Sequence, residues 1–255
     1  MRVKRILVLL GILLALALFL WAIRYINREV EIANFTTTIT GRSQDQIDNL
    51  NIALAKIDGK ILRTGEVFSF NEVVGERLCK WGYKGAPTIY QGEIVNTPGG
   101  GLCQLTSTIY NVALLSDMEI IERKPHLWVI NSVGPGRDAA ILYDKIDLKF
   151  KNNLPYPVKI KGEMTNNRLV VRFCGSMKSD FKTFVDVEVI QVYPAPDMPP
   201  YPKDDNGKSP IPSNGKNGVK VKVFRTTQKE SGHEKREVVS IDTYKPVPGG
   251  TYVND

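Results

Sequence analysis

The chain has 255 residues, 42% of them hydrophobic and three of them cysteine, with a formal net charge of +7. Five of the 34 basic residues (Arg2, Lys4, Arg5, Arg24, Arg28) flank one N-terminal apolar run; the other 29 face 27 acids, a net of +2, so no nucleic-acid footprint remains. An odd cysteine count fits one pair plus a free thiol, or three free thiols, and no CxxC or His/Cys cluster has the spacing of a structural metal site.

Ile6 to Ile23 is unbroken and apolar, with Arg2, Lys4 and Arg5 before it. That is long enough to cross a bilayer as a helix. A cleaved signal peptide is the competitor, but Ala15 and Ala17 lie mid-run and bulky Phe19, Leu20 and Trp21 follow, so no clean cleavage site is visible. The expectation is a signal-anchor over residues 1–28, with its tip in the cytoplasm and the rest of the chain extracytoplasmic.

Ser43 and Gln46 form a capping-box pattern, and Ile47, Leu50, Leu54 and Ile57 follow at helical spacing until Gly59. Thr64 to Asn71 reads as a turn into a short strand with Val67 and Phe68 near the core. The run Pro98-Gly99-Gly100-Gly101-Leu102-Cys103-Gln104 leads into a second helix through Leu115, with Leu105, Ile109 and Val112 as its apolar stripe. Ile146, Leu148 and Phe150 alternate with Asp147, Lys149 and Lys151 as a half-buried strand. Pro157–Met164 and Arg168–Phe173 make a hairpin around Thr165-Asn166-Asn167. Residues 29–176 therefore read as an α+β domain with a mainly antiparallel sheet and two principal helices. Residues 177–217 hold a strand, Phe184 to Tyr193, and a Pro/Gly-rich connection. Residues 218–255 form a small β module, too small to bury much core alone and dispensable for folding of the main domain.

Cys103 carries the chemical interest. A cysteine in the first turn of a helix lies at the positive end of the backbone dipole, which favours thiolate. Gly100 and Gly101 allow a tight turn and bring bare N–H donors close to a substrate. The plain alternative is a small buried residue at a helix start. A thiol nucleophile needs a base, and of the two histidines His233 lies in a polar turn. His126, in Lys124-Pro125-His126-Leu127-Trp128, is the candidate; its alternative role is a core histidine bonded to a carbonyl. Asp138 or Asn131 could orient it. Arg137 could grip a substrate carboxylate or pair with Asp138. Gln104 could donate its amide to an oxyanion or cap the helix. Glu66 and Glu93 read as surface carboxylates. Cys79 and Cys174 lack such a setting and read as structural, with a disulfide between them one option. No cofactor is called for.

With these segments laid out, the chain resembles the VanW family. The carriers are Gly65 to Asn71, Gly82-Tyr83-Lys84-Gly85-Ala86-Pro87, Gly99 to Leu105, Tyr110-Asn111 and Pro135-Gly136-Arg137-Asp138-Ala139. The tail, with Val223-Phe224-Arg225 and Asp242-Thr243-Tyr244-Lys245-Pro246, partly resembles the extracellular G-five module. The family resemblance implies an exported protein of cell-wall biology, linked to vancomycin resistance and to L,D-transpeptidase activity on peptidoglycan. Familiar L,D-transpeptidases place His before Cys, whereas here Cys103 precedes His126, so a shared activity would rest on another scaffold. Two readings stay open. One is a membrane-anchored cysteine acyl-transferase acting on peptidoglycan stem peptides; the other is a non-catalytic wall-binding or scaffold protein.

Overall fold

The computed structural model describes residues 10–14, 16–18, 29–90, 93–196 and 215–247. Residues 10–14 and 16–18 are helical, and no helix among the described residues is long and apolar enough to cross a membrane. The rest of the Ile6 to Ile23 run lies outside the described residues, as does most of the Pro/Gly-rich connection.

The main sheet is antiparallel, in the order β1 (Val30–Thr38), β9 (Arg168–Gly175), β8 (Val158–Thr165) and β2 (Ile61–Leu62). β8 and β9 form the hairpin, and Asn166 and Asn167 turn it with φ of 47° and 62°. Two consecutive left-handed residues give a turn whose twist matches the paired strands. Across this sheet lies α1 (Gln44–Ile57). Its capping box is complete: Ser43 Oγ accepts from the Gln46 N–H at 3.3 Å, and Gln46 Oε1 accepts from the Ser43 N–H at 3.1 Å. Leu50, Ala53, Leu54 and Ile57 are its buried face.

Deeper in lies α2, Phe70–Val74, one short turn after β3 (Val67–Ser69). Strand alternation separates the two residues expected near the core: Phe68 is 1% exposed, whereas Val67 is 44% exposed. β3 pairs with β7 (Lys149–Lys151), which pairs with β6 (Glu119–Glu122). Of the strand expected from Ile146, only Lys149–Lys151 joins the sheet, while Ile146 makes an isolated bridge with Leu142. Asp147 points inward because its carboxylate accepts from Ser69 Oγ and from the Asn71 N–H at 2.9 Å, fastening the start of α2.

A two-stranded ribbon, β4 (Gly85–Tyr90) and β5 (Glu93–Pro98), delivers the chain to the glycine run. Then comes α3, Leu102–Leu115, the axis of the molecule. Its apolar stripe is buried as expected, but so is the opposite face, where Gln104, Thr106, Ser107, Thr108 and Asn111 find partners. Such residues tolerate burial only when each polar atom is bonded.

The last sheet joins β10 (Phe181–Tyr193), β11 (Gly218–Lys229) and β12 (Glu234–Tyr244), all antiparallel. The strand assigned to the 177–217 segment is thus an integral part of the C-terminal module. That module is seated on the main body rather than tethered beside it. Arg225 donates to the Met118 carbonyl at 2.6 Å, Thr227 to Asp117 at 2.9 Å, and the Lys245 N–H to the Leu127 carbonyl at 2.8 Å. Gly136 makes the closest approach, with φ of +80°, and a Cβ there would lie 2.5 Å from Val223 Cγ2. Gly136→Ala combines that overlap with an unfavourable backbone angle, and is expected to lower stability by about 1–3 kcal/mol. Chemical denaturation monitored by tryptophan fluorescence measures it, and an unchanged midpoint would show that the seam is loose.

Candidate functional site

Gly101 is the N-cap of α3 at φ +96°, which places Cys103 at the second position of the first turn. The loop that precedes it is fixed from both sides. Asn49 of α1 donates to the Gly100 and Lys84 carbonyls at 3.0 Å and accepts from the Lys84 N–H at 2.7 Å. On the other side Gly100 is packed so closely that a Cβ would meet the Ala86 carbonyl oxygen at 2.3 Å. Gly100 therefore serves close backbone packing, not an open substrate surface. Gly101 does line the cavity beside Cys103.

The polar face of α3 holds the segment that carries the acid. Thr106 Oγ1 donates to the Ala139 carbonyl at 2.7 Å, Ser107 Oγ accepts from the Ala139 N–H at 3.0 Å, and Asn111 donates to the Arg137 carbonyl at 2.7 Å. These three clamps present Asp138 toward His126. Asp138 Oδ2 accepts from the His126 N–H at 2.7 Å and meets His126 Nδ1 at 2.5 Å. Because Nδ1 is committed to the acid, Nε2 is the ring nitrogen left for the cysteine, and the imidazole stands near enough to the Cys103 thiol to act on it. Cys103, His126 and Asp138 thus stand in one row, the order that can activate a thiol nucleophile.

The row polarises itself. Burial opposes charge on the Cys103 thiol, but the hydrogen bond and positive charge of His126 outweigh it, and the thiol lies below its ordinary range. Burial likewise opposes the imidazolium, yet its bonds to Asp138 and Cys103 push His126 up to about 10. The Asp138 carboxyl is held low against burial by the hydrogen bond and charge of His126, with the Arg123 charge behind it. Cys103 and His126 titrate as a pair.

Of the remaining sequence-derived candidates, several have other work. Arg137 does not line the cavity: its Nε donates to Asn111 Oδ1, one terminal nitrogen reaches the Val185 carbonyl at 3.2 Å, and the guanidinium lies over Phe35. Nor does it pair with Asp138; Arg123 does, at 2.9 Å. The Gln104 amide is already spent, donating to Thr37 Oγ1 at 3.0 Å and to the Thr38 carbonyl at 2.7 Å, so it offers no oxyanion donor. Its Oε1 accepts from Arg42 Nε at 2.8 Å. Asn131 accepts from Lys216 Nζ at 2.7 Å and is not the group at His126 Nδ1. All three cysteines are free thiols, so Cys79 and Cys174 form no disulfide.

Sequence reasoning missed Arg123, Asp242 and Tyr244. Arg123 grips Asp138 and also meets Asp242 at 2.5 Å, and the Tyr244 hydroxyl donates to Asp138 Oδ1. A basic residue just past a strand end, or a Tyr on a distant strand, carries no local signal. The cleft above Cys103 is narrow, about 80 Å³, and is walled by His126, Ile130, Thr88 and Gly101. Past Arg42, Gln46, Pro87 and Ser132 it opens into a wider groove of about 470 Å³, with Thr38, Thr40, Ser43 and Asn131 on its walls.

A model of the family described as "VanW like protein" matches residues 45–174, just over half of the chain and all of the Cys103, His126 and Asp138 positions. The chain belongs to the VanW family. Among curated relatives it is 30% identical over 146 residues to "Uncharacterized protein YoaR" of Bacillus subtilis, covering 57% of this chain and 48% of that one. It is 28% identical over 133 residues to "Vancomycin B-type resistance protein VanW" of Enterococcus faecalis, covering 50% of this chain and 48% of the relative. The chain thus matches about half the length of both. No solved structure matches it. The family match ends at residue 174, before the C-terminal sheet begins.

The titration directions give a prediction. Cys103 loses its proton more readily than an ordinary thiol, and the imidazolium persists to about 10, so the two shifts together favour the thiolate–imidazolium pair. Alkylation of Cys103 by iodoacetamide is expected to be fast at pH 6–7 and far ahead of Cys79 and Cys174, as read by peptide mass spectrometry. His126→Ala should return the midpoint toward ordinary thiol values. Equal, slow labelling of all three cysteines at neutral pH would contradict the polarised row.

Proposed function

We propose that this chain is a membrane-anchored, extracytoplasmic cell-wall protein whose Cys103 site catalyses acyl transfer on peptidoglycan stem peptides, in the manner of an L,D-transpeptidase. The observation that carries this reading is the Cys103–His126–Asp138 row, with the acid bonded to the imidazole and both Cys103 and His126 opening on one narrow cleft. Family membership and the name of the Enterococcus relative support the compartment and the polymer. The basic-then-apolar N-terminus supports the anchor.

In this mechanism the Cys103 thiolate attacks a stem-peptide carbonyl. A C–S bond forms, and the developing oxyanion is met at the helix start, where we assign Cys103's own N–H as a donor. Leu102 and Gln104 already turn their N–H groups to the Gly99 and Gly101 carbonyls. Collapse breaks the C–N bond, and His126 gives its proton to the departing amine. The neutral imidazole then takes a proton from an incoming stem-peptide amine, which attacks the thioester. A new C–N bond forms, the C–S bond breaks and the thiolate–imidazolium pair is restored. Water in place of the amine gives hydrolysis. Asp138 fixes the His126 tautomer and supports its charge in both halves.

Muropeptide profiles of purified wall material test the reading. Wild type should alter the cross-link or stem-peptide profile. Cys103→Ala should abolish the change, and His126→Ala should slow it by roughly 100- to 10,000-fold. Identical profiles with wild type and Cys103→Ala would favour the wall-binding alternative. The anchor has its own check: the mature protein should fractionate with membranes and keep its first residues. A mature N-terminus beyond Ile23, seen by mass spectrometry, would remove that part of the proposal.

A further inference from the structure

The acid of the row has a second coordination side that comes from the opposite end of the chain. Asp138 Oδ2 is filled by His126, while Oδ1 accepts from Arg123 at 2.9 Å and from the Tyr244 hydroxyl. Tyr244 is itself held, accepting from the Gly136 N–H at 2.7 Å. Arg123 is held three times more: Nε donates to the Asp138 carbonyl at 2.6 Å, its other terminal nitrogen meets Asp242 Oδ2 at 2.5 Å, and its guanidinium lies over the Tyr110 ring at 5.0 Å. Ser240 Oγ closes the chain of contacts on Asp242 at 3.1 Å. Arg123, Asp138, Asp242 and Tyr244 are all almost wholly removed from solvent.

We propose that Asp242 and Tyr244 of β12 are positioning residues of the Cys103 site, acting through Arg123 and Asp138 to hold and charge-balance the His126 ring. The C-terminal sheet, which lies outside the family match, is then a working part of the site and not an appendage. This inference rests on the thiol–imidazole reading above. The geometry argues for it in two ways. First, β12 spends two polar side chains on a network whose far end is the imidazole. Second, Arg123 is shared between two carboxylates, so the charge on Asp242 sets how much of the cation Asp138 receives. Charges inside a protein couple over such distances far more strongly than in water.

The groups that face the couple define the expected signs. α3 contributes Cys103 and Tyr110, the segment after α2 contributes the Arg77 charge, the β6 end contributes Arg123, and β12 contributes Asp242 and Tyr244. Asp242→Asn keeps the shape and removes one negative charge. Proton loss from Cys103 and from His126 then becomes easier, and Arg123 leans harder on Asp138, so both midpoints fall. Tyr244→Phe keeps the ring and removes a donor from Oδ1. Asp138 becomes a stronger acceptor for the imidazolium proton, so the His126 midpoint rises.

The test uses the full chain with three readouts: the pH midpoint of Cys103 alkylation by iodoacetamide, the His126 titration by imidazole NMR, and thermal unfolding. Asp242→Asn is expected to lower both midpoints by about one unit. Tyr244→Phe is expected to raise the His126 midpoint, opposite to Asp242→Asn, which a general loosening of the fold cannot produce. If either variant lowers the unfolding temperature while both midpoints stay in place, β12 is structural only and the inference is overturned. Should Asp242→Asn fail to fold, Tyr244→Phe decides alone, a rise supporting the inference and no shift overturning it. Failure of the underlying reading looks different, because wild-type Cys103 would then lack a lowered alkylation midpoint.

Discussion

A carboxylate with 1% of its surface exposed stays ionised only if its lone pairs are met, and Asp138 satisfies that demand with four donors. Much of the molecule is arranged to supply them. The buried polar face of α3 exists to hold the 137–139 segment in place, since Thr106, Ser107 and Asn111 each bond its backbone. Arg123 and β12 supply the far side. Removing one partner from a buried charged pair typically costs about 3–5 kcal/mol, comparable to a large share of a domain's whole stability. The acid is thus a point where folding and chemistry cannot be separated.

The same logic explains why α1 is capped so fully although it carries none of the reacting atoms. Its capping box sets where the helix starts, and Asn49, further along it, then reaches both the Lys84 and Gly100 backbones. Through that side chain the first helix dictates the path of the loop entering the second. Gly100 has no clearance from Ala86, so the loop is pinned between a helix and a ribbon, and the first turn of α3 starts at a fixed place.

Residue type and local context made the core of the site legible. A cysteine after three glycines, a histidine among apolar neighbours and an acid in a Gly-Arg-Asp turn all stand out from the chain. The capping box and the Asn-Asn hairpin were equally readable, because both are local devices. Long-range partners were not. Arg137 looked like a carboxylate clamp by its type, but α3 and β10 had prior claims on it. Gln104 was assigned to the reacting centre, yet it bonds β1 across the sheet. Val67 and Asp147 inverted their expected sides, one by strand alternation and the other because a helix start needed a carboxylate. The C-terminal sheet read as an accessory from composition alone, since nothing in a run of alternating Val and Lys says what its inner face will touch.

The separation between Asp138 and Tyr244, 106 residues along the chain, bears on the order in which the molecule matures. A growing chain meets Cys103, His126 and Asp138 long before β12 is made. Until β12 arrives, the acid has one side unsupported and Arg123 has only one of its two carboxylates. A nascent or partly threaded polypeptide would carry its thiol without the finished frame around it. The frame around Asp138 is therefore complete only once β12 has been made, so the last strand to emerge is also the one that closes the site's inner wall.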